Sequence, residues 1–130
     1  MRVVVILMLI LEISCYSIKS KKNNIRDCEN FRVGQFKYSD GVANGVSILR
    51  TNDQQIETIN GEIHYIFKIE WNGDCQYILI PQTMLYNSIE TKISNDTVFV
   101  SITKVLSDSL YEFNAISNGL VTKGRVIKIK

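Results

Sequence analysis

Three cysteines, one histidine and a set of aromatic side chains are the residues of this sequence with chemistry to offer. Cys15, Cys28 and Cys75 could ligate a metal, attack a substrate or pair in a disulfide. Two cysteines and the distant His64 do not make a zinc spacing, so no metal is expected. A cysteine nucleophile needs a base and an orienting group beside it. His64 is the one histidine, and it falls between Glu62 and Ile66 on the face opposite the aromatic residues of its stretch. There a solvated strand position is the simpler reading than a general base. No catalytic residue and no cofactor follow from these residues. Tyr65, Phe67, Trp71, Tyr77 and Tyr111 have the chemistry to line a ligand cavity with a few polar tips, or else to fill a core. Arg50 and Arg125 would meet an anionic ligand if they face inward.

What the cysteines do depends on compartment, and the N-terminus bears on that. "MRVVVILMLILEIS" carries one positive charge at Arg2 and then an unbroken apolar run over residues 3–11, interrupted at Glu12. That is the length of a signal-peptide core, well short of the roughly 20 apolar residues of a membrane-spanning helix. Residues 1–14 are expected to be a signal peptide. Ser14-Cys15 then resembles the lipobox of bacterial lipoproteins, in which the cysteine becomes the lipidated first residue. Leu11 stands one place early for that motif, and Glu12 occupies a position where the family has an aliphatic residue. The alternative is ordinary cleavage after Ser17, with Cys15 and Ser17 as the small residues at the cleavage site. The chain is thus expected in the cell envelope, lipid-anchored at Cys15, or else secreted.

Either route leaves Cys28 and Cys75 as an even pair in an exported chain, where oxidising conditions favour a disulfide. The loop so closed is worth about 4 kcal/mol in the chain-entropy model. Residues 15–30, polar and basic with Lys19, Lys21, Lys22 and Arg26, read as a tether. Residues 31–130 read as the domain.

The elements of that domain are announced by its turns. Four glycines follow an asparagine, in Asn44-Gly45, Asn60-Gly61, Asn72-Gly73 and Asn118-Gly119. Asn-Gly tolerates the positive φ that tight hairpins require. Between turns the chain alternates. Ile63, Tyr65, Phe67, Ile69 and Trp71 share one face, and Cys75, Tyr77 and Leu79 continue it after "WNGDC". Val98, Val100 and Ile102 form a later strand face, Tyr111 and Phe113 another, and Phe36, Ile48 and Ile56 supply the early strands. Residues 82–87 have the spacing of one helical turn. The predicted fold is all-β: an antiparallel meander of about eight strands, closed as a small up-and-down barrel or strongly coiled as an open sheet, because so many strands must close or cover their edges.

Gly34-x-Phe36 in "FRVGQF" resembles the Gly-x-Trp of lipocalin first strands. The segments "CENFRVGQFKY", "ILRTNDQQIET", "IEWNGDCQYIL" and "NDTVFVSITKV" through "GRVIKIK" together resemble a group of small exported bacterial proteins, lipoprotein-like and calycin-like. That resemblance implies export and an all-β domain. Some of that group carry a DNA topoisomerase label. Here there is no phosphate-cradling glycine loop and no acidic metal cluster, and a net charge of +2 over 130 residues gives no nucleic-acid footprint. The expected function is a cell-envelope interaction or structural module without catalysis, with a mainly packed interior. Its partners would be the membrane through a lipid anchor and an envelope protein. The alternative is a calycin-like module binding a small apolar or amphipathic ligand. Cavity volume decides between the two.

Overall fold

A computed structural model of the protein describes residues 25–39, 45–92 and 95–130. The expected signal peptide (1–14), Cys15 and the tether as far as residue 24 lie outside the described residues. A 3-10 helix, Ile25–Phe31, is followed by nine strands: β1 (Gly34–Tyr38), β2 (Val46–Arg50), β3 (Gln54–Ile59), β4 (Ile63–Trp71), β5 (Gln76–Tyr86), β6 (Ile89–Lys92), β7 (Val98–Ser107), β8 (Leu110–Ser117) and β9 (Leu120–Lys128). Every pairing is antiparallel, and the order β4-β3-β2-β1-β9-β8-β7-β5 is closed into a ring by β4 against β5. The result is an eight-stranded up-and-down barrel. The short β6 pairs only with the outer half of β5 and lies outside the ring.

The turns explain why neighbours in sequence are neighbours in space. Asn60-Gly61 (φ 52° and 73°) and Asn118-Gly119 (φ 49° and 74°) both take the left-handed pair of angles that matches the strand twist of a hairpin. Asn72-Gly73 belongs to a longer connection, since Trp71 opposes Tyr77 in register. Cys75 therefore lies just before β5 instead of opening it. Residues 82–87 are not a helical turn. They are the outer part of β5 and the first residue of a tight turn, Asn87-Ser88, with φ of 49° and 63°. The pairing of β5 with β4 shifts between Ile66 and Phe67, opposite Thr83 and Pro81. Proline cannot donate to a ladder and is tolerated at such an irregularity. Two further shifts in β7 add the local bend that a closed barrel needs.

One end of the barrel is shut. Gly34 (φ 143°) begins β1 where a side chain would collide with the C-terminus: a Cβ would lie 2.4 Å from the Lys130 carbonyl oxygen. The 3-10 helix covers this end. Its Phe31 is fully buried, edge-on to Tyr111 at 4.7 Å between ring centroids. Its Cys28 is bonded to Cys75, with Cα atoms 5.3 Å apart. Residues 25–30, read from sequence as the end of the tether, are thus part of the folded unit. Phe36, Ile48, Ile69, Tyr77, Leu79, Val100, Ile102, Phe113 and Val126 make up the rest of the core. No helix among the described residues is long and apolar enough to cross a membrane.

Candidate binding cavity

The inward residues of β2 and β3 organise the interior, and several are polar. Arg50 ends β2 on the same face as the core residue Ile48, two positions earlier, so the strand carries it inside. Register then sets Gln55 opposite Arg50 and Glu57 opposite Ile48. Gln55 and Glu57 therefore point inward and Ile56 outward, the reverse of the expectation that Ile56 lines the core.

Arg50 is 1% exposed and held by the barrel floor through four of its five N–H donors. Its Nε donates to Gln55 Oε1 at 3.0 Å, its Nη1 to the Phe31 carbonyl, and its Nη2 to the hydroxyls of Tyr77 and Tyr111, both at 3.2 Å. The rings of Phe36 and Tyr77 lie 4.6 and 4.9 Å from the guanidinium carbon. Burial opposes the charge, but the facing phenols of Tyr77 and Tyr111 more than offset it, so Arg50 holds its proton above the ordinary range. The same burial pushes the Tyr77 hydroxyl up. A side chain so fully engaged is structural: it ties the helix, β2, β3, β5 and β8 together. Lys128 of β9 supports the floor, its Nζ donating to the Asn30 carbonyl and lying 5.9 Å from the Phe36 ring.

One layer above, Gln55 Nε2 donates to Glu57 Oε1 at 2.9 Å, and the Tyr38 hydroxyl reaches the same oxygen at 3.3 Å. Burial pushes the Glu57 carboxyl above the usual carboxylate range. The hydrogen bonds from Gln55 and Tyr38, then the charge of Arg50, offset this in part. Tyr38 is pushed up by burial and then by the neighbouring Glu57.

Above this layer the barrel is hollow. A cavity of about 670 Å³ is walled by Phe67, Leu79, Val98, Val100 and Phe113 and floored by the polar cluster. Its mouth lies at the β8–β9 turn, by Ser117, Asn118 and Leu120. The expectation of a mainly packed interior does not hold: the rings of Phe31, Phe36, Trp71, Tyr77 and Tyr111 gather in the closed half, while Tyr38, Phe67 and Phe113 line the hollow.

Of the aromatic residues read as ligand-facing, Phe67 and Tyr77 line the cavity. Trp71, Tyr111 and Tyr65 do not. Trp71 is at the closed end, 4.7 Å from the Tyr77 ring and beneath the Arg32 guanidinium at 5.0 Å. Tyr111 is fully buried in the Arg50 cluster. Tyr65 is half-buried further up β4, opposite Met84 in the half of β5 that carries β6. Arg125 faces Glu112 across the β8–β9 ladder, at 2.9 Å. His64 is half-buried and pairs through Nδ1 with the Thr58 hydroxyl at 2.9 Å. Among the described residues, no cluster of three or more His, Cys, Asp and Glu side chains forms a metal site. Sequence reasoning missed Tyr38, Gln55 and Glu57. The available signal was Arg50, whose parity with Ile48 puts it inside.

A scan against family models and searches of curated proteins and of solved structures find no match to the chain.

Proposed function

We propose that the protein is a binding module that holds one small amphipathic molecule in its barrel. The cavity carries this reading: about 670 Å³ falls within the usual range for ligand pockets, roughly 300–1,000 Å³. Its walls carry Phe67, Leu79, Val98, Val100 and Phe113, and polar groups gather at its floor and again at its mouth, an arrangement that binds a hydrophobic body and orients a polar head. An interaction or structural module has no use for such a hollow, which costs buried contacts in a small domain. Among the described residues, the interior cation Arg50 is bound to the floor by four hydrogen bonds, which favours holding over transforming the ligand.

The compartment proposed is the cell envelope, reached by export through the apolar N-terminal run and with a lipid anchor at Cys15. The Cys28–Cys75 disulfide fits an oxidising compartment. Native mass spectrometry of protein purified from its own envelope tests ligand and processing together. A retained small molecule and the mass of a diacylated chain beginning at Cys15 are expected. A ligand-free chain that also fails to take up a neutral apolar fluorophore sinks the binding reading. An intact Met1 sinks export.

A further inference from the structure

The polar layer at the cavity floor says which head group fits. We infer that the ligand presents a protonated amine, or an equivalent cationic donor, to Glu57, with its apolar body lying along the β4–β5–β7 wall. This rests on the binding reading above.

Three observations lead to it. First, Glu57 is the carboxyl that the described lining brings into the interior; Asp96 is exposed and at the mouth. Second, both donors that reach Glu57, Gln55 Nε2 and the Tyr38 hydroxyl, go to Oε1. Among the described residues no donor reaches Oε2. A half-buried carboxylate held by two hydrogen bonds on one oxygen still has acceptor capacity on the other, and a charged donor is the strongest partner for it. Third, the cation at the floor is largely committed. Arg50 directs four of its five N–H donors into the floor and lies 4.6 and 4.9 Å from the Phe36 and Tyr77 rings, so little of it is left for an anionic head. A fatty carboxylate seated at the depth of Glu57 would face that carboxyl at close range, and two carboxylates at one site repel. Phe67 and Phe113 on the walls are aromatic faces that favour a cation further.

Burial already disfavours the ionised form of Glu57. An incoming ammonium group supplies the direct charge partner that no described residue provides, so amine and carboxylate stabilise one another out of water.

The test is displacement of N-phenyl-1-naphthylamine, a neutral apolar fluorophore, from the purified full-length chain by decylamine, decanol and decanoate. These three share a chain length and differ in head group. Decylamine is expected to displace the probe at concentrations about tenfold lower than decanol, the worth of one charge-assisted hydrogen bond over a neutral one, with decanoate weakest. In Glu57→Gln the amine-to-alcohol ratio, measured within the variant, should collapse to near one, with circular dichroism checking its fold. Probe binding with decanol or decanoate as effective as decylamine in the native chain overturns the inference and leaves the binding reading standing. So does a ratio unchanged in Glu57→Gln. Failure of the probe to bind at all overturns the binding reading itself.

Discussion

Replacing Arg50 tests the account of the barrel floor, because it reverses the usual order of conservative and drastic substitutions. Arg50→Met removes the charge and keeps most of the stem. The Phe31 carbonyl and Gln55 Oε1 then lose a charged donor, about 1–3 kcal/mol each for a buried group left unpaired. Tyr77 and Tyr111 suffer less, since their hydroxyls lie 3.3 Å apart and can bond each other. Against this, the cost of keeping a cation out of water disappears, which in buried ion clusters offsets much of the loss. A net destabilisation of about 2–3 kcal/mol follows. Arg50→Lys keeps the buried charge but not the planar fork that meets partners on four sides, so it loses bonds while retaining the desolvation cost. Its destabilisation should be larger, about 3–5 kcal/mol, the range for breaking a buried charge cluster by half. Each kcal/mol is worth about 4–8 °C in a domain this size, so thermal unfolding by circular dichroism separates the two variants. An Arg50→Lys chain closer to wild type than Arg50→Met would refute the argument, and would mean that positive charge, not hydrogen-bond geometry, is what the floor requires.

Three further outcomes follow from the same structure. Cys75→Ala should lower stability by about 2–4 kcal/mol in denaturant unfolding, the loss expected for a disulfide closing a loop of this length, and two free thiols in the native protein would refute the bond. Gly34→Ala should cost about 1–3 kcal/mol for the φ of 143° alone, with more from the clash with the Lys130 carbonyl, and a stability equal to wild type would show that the C-terminal strand end does not lie against β1. Because the carboxyl of Glu57 is raised by burial, it is neutral in folded and unfolded chains at acid pH and costs nothing there. As pH climbs through its folded value, ionising it draws down stability. The melting temperature of wild type relative to Glu57→Gln should therefore fall as pH rises above the ordinary carboxylate range, and a rise there would refute the assignment.

The barrel was legible because its signals are local. Alternation over residues 63–71 and the Asn-Gly turns each reflect one physical cause, the pleat and the positive φ of a tight hairpin. Where the sequence misleads, a second cause intervenes. The shift of register in β5 moves the inward positions from Pro81 to Met84, which breaks the period and made residues 82–87 look helical. The turn after them is Asn87-Ser88, and a serine in a left-handed conformation is a weaker signal than glycine. In β3, "QQIETI", polarity alternates in the wrong sense, because alternation records which residues are polar and not which are in water. Gln55 and Glu57 are inside because Arg50 is, and Arg50 is inside because four other elements supply it with partners. Those partners come from residues 31, 55, 77 and 111, a separation no local pattern spans.

The same clustering accounts for the hollow. A domain of this length is expected to need nearly all its aromatic rings to make a core, which argues for a filled interior. That argument assumes that burial is the main source of stability. Here the closed end carries another: a disulfide worth about 4 kcal/mol on loop closure, and a buried cation whose hydrogen bonds cross-link the helix to four strands. Phe31, Phe36, Trp71, Tyr77 and Tyr111 pack around that centre and concentrate the core in half the barrel. With the fold held from one end, the other half is not required to be filled. Its inward positions are aliphatic residues such as Val98 and Val46, the small Ala115 and Ser117, and the polar Tyr38 and Glu57, all lining one space. Stability and the candidate function thus occupy opposite ends, so substitutions near the mouth should alter what the barrel holds before they alter whether it folds.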